Sequence, residues 1–176
     1  MVGPEEFPGF PAHANDGLVL VEATFYENHE EIFGNDLTRF GYIPVAIRIG
    51  IRERSGVVHR LSSDTLDAHL YFQDGTPIPW IPYEDLEITS EGVIDHVAKQ
   101  ALVLSVLPEW HDAREGFLFF RFDEGVRVQG EKALTTDGEY HRELDLLQSL
   151  ISLDVSTNKG PIRLNVGLRG GHLSER

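Results

Sequence analysis

Between Tyr42 and Arg52 the chain alternates without a break. Ile43, Val45, Ile47, Ile49 and Ile51 are interleaved with Tyr42, Pro44, Ala46, Arg48, Gly50 and Arg52. Successive side chains of a strand point to opposite faces, so this spacing specifies one strand with one apolar face. The stiff χ1 of β-branched residues suits a pleated surface. Just upstream, Glu30-Glu31-Ile32-Phe33-Gly34-Asn35-Asp36-Leu37 reads as a short amphipathic turn that delivers the chain to that strand.

Other segments repeat the pattern. Leu18 to Tyr26 reads as a first strand, with Val19, Val21 and Ala23 on one face and Leu20 and Glu22 on the other. In Leu66 to Gln73, Leu66, Ala68, Leu70 and Phe72 alternate with Asp67, His69, Tyr71 and Gln73, as in a half-exposed antiparallel strand. Gly116 to Phe122 reads as a buried strand, and Ile162 to Leu168 alternates again after the Asn158-Lys159-Gly160-Pro161 hairpin loop. In Leu144 to Val155 both helical and strand spacings are present, and the later half favours a strand. Pro77-Ile78-Pro79-Trp80-Ile81-Pro82-Tyr83 lacks three backbone donors and is expected as an edge segment or an extended connection, not in the middle of a sheet.

One stretch breaks the rhythm. Ile94, Val97, Ala98, Ala101, Leu102 and Ser105 recur at steps of three and four, with Ser90 or Thr89 as cap and Pro108 as stop. The spacing predicts one inserted helix over about residues 90–107, its second half packed on the sheets. Many short strands with Gly and Pro turns and one helix give a mainly β fold. The expected form is an antiparallel two-sheet, immunoglobulin-like sandwich of roughly seven to nine strands. A small barrel is the alternative, and the two differ in closure, which periodicity does not decide. Residues 1–16, rich in Pro and Gly, read as a flexible arm, residues 17–169 as a single sandwich domain and residues 170–176 as a frayed tail.

Composition narrows function mostly by exclusion. A chain of 176 residues, 41% of them hydrophobic, supports one sizeable core. Fifteen basic against 29 acidic residues leave a net charge of −14, which disfavours nucleic acid and anionic lipid surfaces. With no cysteine, thiolate catalysis, disulfides and iron–sulfur ligation are excluded. No apolar run reaches the length of a membrane span. The opening residues have neither the basic nor the apolar region of a signal peptide.

The order of pieces carries a resemblance. A first strand followed by Tyr26-Glu27-Asn28, then Ile32-Phe33-Gly34, Leu37, Gly41-Tyr42-Ile43-Pro44-Val45, Asp74-Gly75-Thr76 and Gly116-Phe117-Leu118-Phe119-Phe120 resembles a group of uncharacterised bacterial exported and lipoprotein-type domains with an immunoglobulin-like sandwich. The likeness runs over most of residues 18–168, and its motifs are short and structural. It implies a non-catalytic protein of the periplasm or cell envelope that acts on an unknown protein or surface partner. It transfers no functional residue. The lipid-bearing cysteine of such proteins is missing.

Local motifs are weaker. His29-Glu30-Glu31-Ile32-Phe33 begins like a zinc-protease helix but has Phe33 where the second histidine belongs, and reads instead as a solvated acidic turn. Ser156-Thr157-Asn158-Lys159 has Ser-x-x-Lys spacing, but Gly160-Pro161 forbids the helix it needs. His141-Arg142-Glu143 lacks the cysteines of a zinc deaminase. Among eight histidines, His59 and His69 fall on strands expected to be adjacent. With Asp64 or Asp67 they would suit a divalent metal, the basis of a second reading as a metal-dependent hydrolase or calcium-dependent carbohydrate-binding sandwich. Solvent-facing polar residues are the plainer account of the same pair. Trp80, Tyr83 and Tyr71 are candidate binding residues, since aromatic rings offer large contact area at low entropic cost. No sequence motif carries a reaction, so a binding role without cofactor is favoured over catalysis, although carboxylates could still meet in space.

Overall fold

The computed structural model describes residues 14–15, 19–51, 59–60, 67–73, 75, 77–102, 106–107, 113–122, 126–129, 132–137, 140–157 and 160–171. In chain order the elements begin with β1 (Ala14–Asn15), β2 (Val19–Tyr26), α1 (Glu30–Phe33) and β3 (Tyr42–Ile51). They continue with β4 (His59–Arg60), β5 (Asp67–Tyr71), β6 (Pro77–Ile81), α2 (Glu91–Gln100) and β7 (Val106–Leu107). The last are β8 (Ala113–Arg121), β9 (Val126–Gln129), β10 (Lys132–Asp137), β11 (Tyr140–Asp145), β12 (Leu150–Thr157) and β13 (Gly160–Gly171).

Seven strands close on themselves in the order β2, β13, β12, β5, β6, β8, β3, and β3 pairs back to β2. The immunoglobulin-like two-sheet sandwich, and with it the resemblance to exported sandwich domains, is therefore corrected to a closed barrel. The closing seam explains the difference. β13 pairs parallel with β2, from Leu168 opposite Ala23 to Gly171 opposite Tyr26, while β3 pairs antiparallel along the other side of β2. All the other barrel pairings are antiparallel. β9, β10 and β11 form a separate meander, and β4 pairs with β7.

The alternation seen in sequence becomes an inside and an outside. Val21, Ala23 and Phe25 of β2, Ile43, Val45, Ile47 and Ile49 of β3, and Leu118 and Phe120 of β8 are buried in one cluster inside the barrel. Ala68 and Leu70 of β5, Ile78 of β6, Ile151 and Leu153 of β12, and Leu164, Val166 and Leu168 of β13 complete the ring. A seven-strand barrel is narrow enough for its own side chains to fill it. Each fully buried aliphatic or aromatic side chain contributes about 1.5–3 kcal/mol. Leu146, in a 3-10 turn before β12, is fully buried in the same cluster, and Val128 of β9 packs against it.

A second core lies outside the barrel wall. Tyr42 of β3 and Phe117 and Phe119 of β8 point outward and are covered by Phe33 of α1, by Leu37, and by Ile88, Val93 and Val97 along and before α2. The helix ends earlier than the spacing predicts, at Gln100 and not near residue 107. Ala101 turns to extended geometry, and the Leu102 amide donates to the Phe117 carbonyl at 3.0 Å. Gly116 permits this, because a Cβ there would stand 2.3 Å from Leu102 Cα. α2 buries Val93 and Val97 and exposes Ile94, so it lies on the surface as an amphipathic helix.

The proline-rich segment also departs from expectation. β6 is not an edge: it pairs with β5 through Pro77 to Pro79 and with β8 through Trp80 and Ile81. Pro77 and Pro79 are two residues apart, so both missing donors fall on the same side of the strand. The seam with β8 is confined to two residues that do carry an N–H.

Candidate functional site

On the outside of the barrel, β2, β3 and β8 form the floor of a cleft of about 190 Å³, walled by Ile32 of α1 and Gln100 at the end of α2. Period two places Glu22, Thr24 and Tyr26 on the same outer face as Ala46 and Arg48 of β3 and Glu115 and Phe117 of β8. Strand register then puts charges side by side. Glu22 is opposite Arg48, and Arg48 is opposite Glu115, giving an acid–base–acid row across three adjacent strands. Arg48 Nε lies 3.0 Å from Glu115 Oε1, an ion pair without the alignment of a hydrogen bond. The Arg48 side chain is 30% exposed and that of Glu115 is 70% exposed.

One row further along are Thr24, Ala46 and Phe117. Arg169, opposite Thr24 on β13, donates through Nε to the Thr24 hydroxyl at 3.3 Å. The Tyr26 ring sits 6.4 Å from that of Phe117, tilted by 54°. Burial pushes the Tyr26 phenol above its ordinary pKa, and the nearby Glu115 and Glu22 charges push the same way against Arg169. Both carboxylates thus act on the hydroxyl at the far end of the cleft.

The walls are held by α1 and the turn after it. The imidazole of His29 is buried, with Nδ1 3.0 Å from the Tyr26 carbonyl and Nε2 3.0 Å from Asp36 Oδ1. The same oxygen accepts from the Thr38 amide at 3.0 Å and the Thr38 hydroxyl at 2.6 Å, capping the following 3-10 turn. Gly34 takes φ of 73°, a left-handed exit that favours glycine. Phe33 meets Phe117 and Phe119 edge-on at 5.0 and 5.8 Å. The Phe117 ring that lines the cleft is therefore packed by another aromatic ring. His29, expected in a solvated acidic turn, is one of the buried supports of the site.

The residues singled out in sequence lie elsewhere. Tyr71 and His69 share the outer face of β5 with Asp67, their rings 6.0 Å apart. Trp80 is partly buried and packs against the barrel core. Tyr83 is exposed in a 3-10 turn after β6. His59 lies in β4, which pairs with β7 and not with β5, so His59 and His69 are not cross-strand neighbours. Asp64 is outside the described residues, and the side chains of His141 and Glu143 are as well. Among the described residues no three His, Asp or Glu side chains are grouped to hold a metal. The metal-dependent hydrolase and calcium-dependent carbohydrate-binding readings are corrected accordingly. The reading as a sandwich interaction module falls with the sandwich. No helix among the described residues is long and apolar enough to cross a membrane.

Glu22 and Arg48 were legible only as polar members of alternating strands, and Glu115 fell outside the strand read from Gly116. Their meeting depends on register. The chain matches no protein-family model, and comparison with curated proteins and with solved structures finds no significant match.

Proposed function

We propose that the protein is a non-catalytic binding domain that takes a small polar ligand in the cleft on the outer wall of β2, β3 and β8. The observation that supports this most directly is the combination within about 190 Å³ of a charged row, a hydroxyl, a phenol and an aromatic wall. Such pockets use a few converging polar groups for orientation and apolar surface for affinity. The described side chains inside the barrel pack together as an aliphatic and aromatic core, which favours a ligand on the outside. Catalysis is not part of the proposal. The Thr24 hydroxyl is engaged with Arg169, and among the described residues that line the cleft none is a histidine. The envelope location was expected from the sandwich resemblance alone, and the cleft reading is made without it.

A fragment screen read by amide chemical shifts tests the proposal. Fragments are expected to move the resonances of Thr24, Ala46 and Phe117. Ala46→Phe, which projects a ring into the cleft, is expected to abolish those shifts while the melting temperature stays close to the parent. Fragments that land on the Tyr71–His69 face, or that bind the Ala46→Phe variant equally well, would refute it.

A further inference from the structure

We infer that the cleft selects a small organic cation, a primary ammonium attached to an apolar or aromatic body. This rests on the cleft being the binding site.

The argument begins with the order of charges. Two carboxylates, Glu22 and Glu115, flank the single guanidinium of Arg48. Arg48 is the less accessible member of its ion pair, with its side chain 30% exposed against 70% for Glu115. The charge that an entering ligand meets first on that side is negative. An anion seeking Arg48 would have to compete with the carboxylate already 3.0 Å from its Nε. Arg169 opposes this preference from β13, but its Nε is turned to Thr24.

The apolar half of the cleft favours the same ligand. The Tyr26 and Phe117 rings, 6.4 Å apart, present aromatic surface next to the acidic row. An ammonium near such rings gains from their quadrupoles, and it gains more where carboxylates are close. Ile32 and Ala46 extend the apolar surface for the body of the ligand. Burial raises the pKa of the Tyr26 phenol most, and the Glu115 and Glu22 charges add to it against Arg169. At longer range the net charge of −14 draws cations toward the chain.

Three probes of one shape and different charge separate the possibilities: phenethylammonium, 2-phenylethanol and 3-phenylpropionate. Each is titrated into the full chain at neutral pH and followed by amide chemical shifts. Phenethylammonium is expected to move Thr24, Ala46 and Phe117 and to bind at least about fivefold more tightly than the alcohol. Glu115→Gln is expected to lower its affinity by about the same factor, and added salt to weaken it further. Glu87→Gln, a change of the same charge outside the cleft, is expected to leave it unchanged. Equal binding of the alcohol, or preference for the propionate, at these same resonances would overturn the cation while the cleft stands. Silence of all three probes would overturn the cation too. The cleft itself falls if the fragments of the screen map elsewhere or bind the Ala46→Phe variant equally well.

Discussion

Asp36 and His29 are joined at 3.0 Å through a buried imidazole, and the same carboxylate oxygen caps the 3-10 turn that begins at Leu37. One oxygen thereby fixes the ring beneath the cleft wall and the entry to β3.

Removing that oxygen is expected to be costly for a half-buried position. Asp36→Ala strips the Thr38 amide and hydroxyl and His29 of their shared acceptor. A loss of about 1.5–3 kcal/mol is expected from the cap and the buried hydrogen bond together. Asp36→Asn, whose amide oxygen can still accept from Thr38, should lose less. Urea denaturation of the three proteins measures this, and a loss under about 0.5 kcal/mol for the alanine variant would contradict it.

The same carboxyl gives a signed dependence on pH. Burial alone would raise its pKa, but the hydrogen bonds from Thr38 and the charge of His29 outweigh burial and hold it below the ordinary carboxylate range. A depressed carboxyl contributes stability that is fully present above its unfolded value of about 3.9 and is lost as pH falls through the folded value. The stability gap between the parent and Asp36→Ala should narrow as pH falls below about 4. A gap that widens on acidification would show the assignment to be wrong.

Tyr42 carries a second tie between distant segments. Its ring is 1% exposed, and its hydroxyl accepts from the Glu87 amide at 2.8 Å across 45 residues. Tyr42→Phe keeps the packing and leaves that amide without its acceptor, for an expected loss of about 1–2 kcal/mol. Faster hydrogen exchange at the Glu87 amide, measured alongside stability, would identify the lost bond as the cause.

Gly116 sits where β8 meets the exit of α2. A Cβ there would lie 2.3 Å from Leu102 Cα and 2.5 Å from Leu102 N, both backbone atoms that no side-chain rotation relieves. Gly116→Ala is expected to destabilise by about 3 kcal/mol or more, with loss of exchange protection at the Leu102 amide. A variant of parental melting temperature would mean that the segment after α2 moves freely away from the barrel.

Which faces are buried was legible residue by residue, and which strands are neighbours was not. Val21 and Ala23, Ile43 to Ile49, and Ala68, Leu70 and Phe72 all turn inward as their alternation predicts. A period of two is the same in a sandwich and in a barrel. The choice is made by Ala23 to Tyr26 meeting Leu168 to Gly171, a parallel seam that leaves no local mark in either segment. The cleft was hidden for the same reason. Glu22 and Arg48 read only as polar members of alternating strands, Glu115 fell outside the strand read from Gly116, and only the register of β2, β3 and β8 lines the three up. The early end of α2 depended on Gly116, a residue outside the helix, so no spacing within the helix could announce it.

The parallel seam has a consequence for how the chain is made. Thr24 and Arg169, which meet across it, are 145 positions apart, so β2 leaves the ribosome long before its partner exists. Until then β1 covers that side of β2 only at Leu20 and Val21, the stretch from Ala23 to Tyr26 is an open template for other chains, and contacts of such long separation form slowly. Translation arrested anywhere before β13 would yield an open curl of sheet and not a smaller barrel. The barrel becomes a closed unit only when β13 joins β12 to β2.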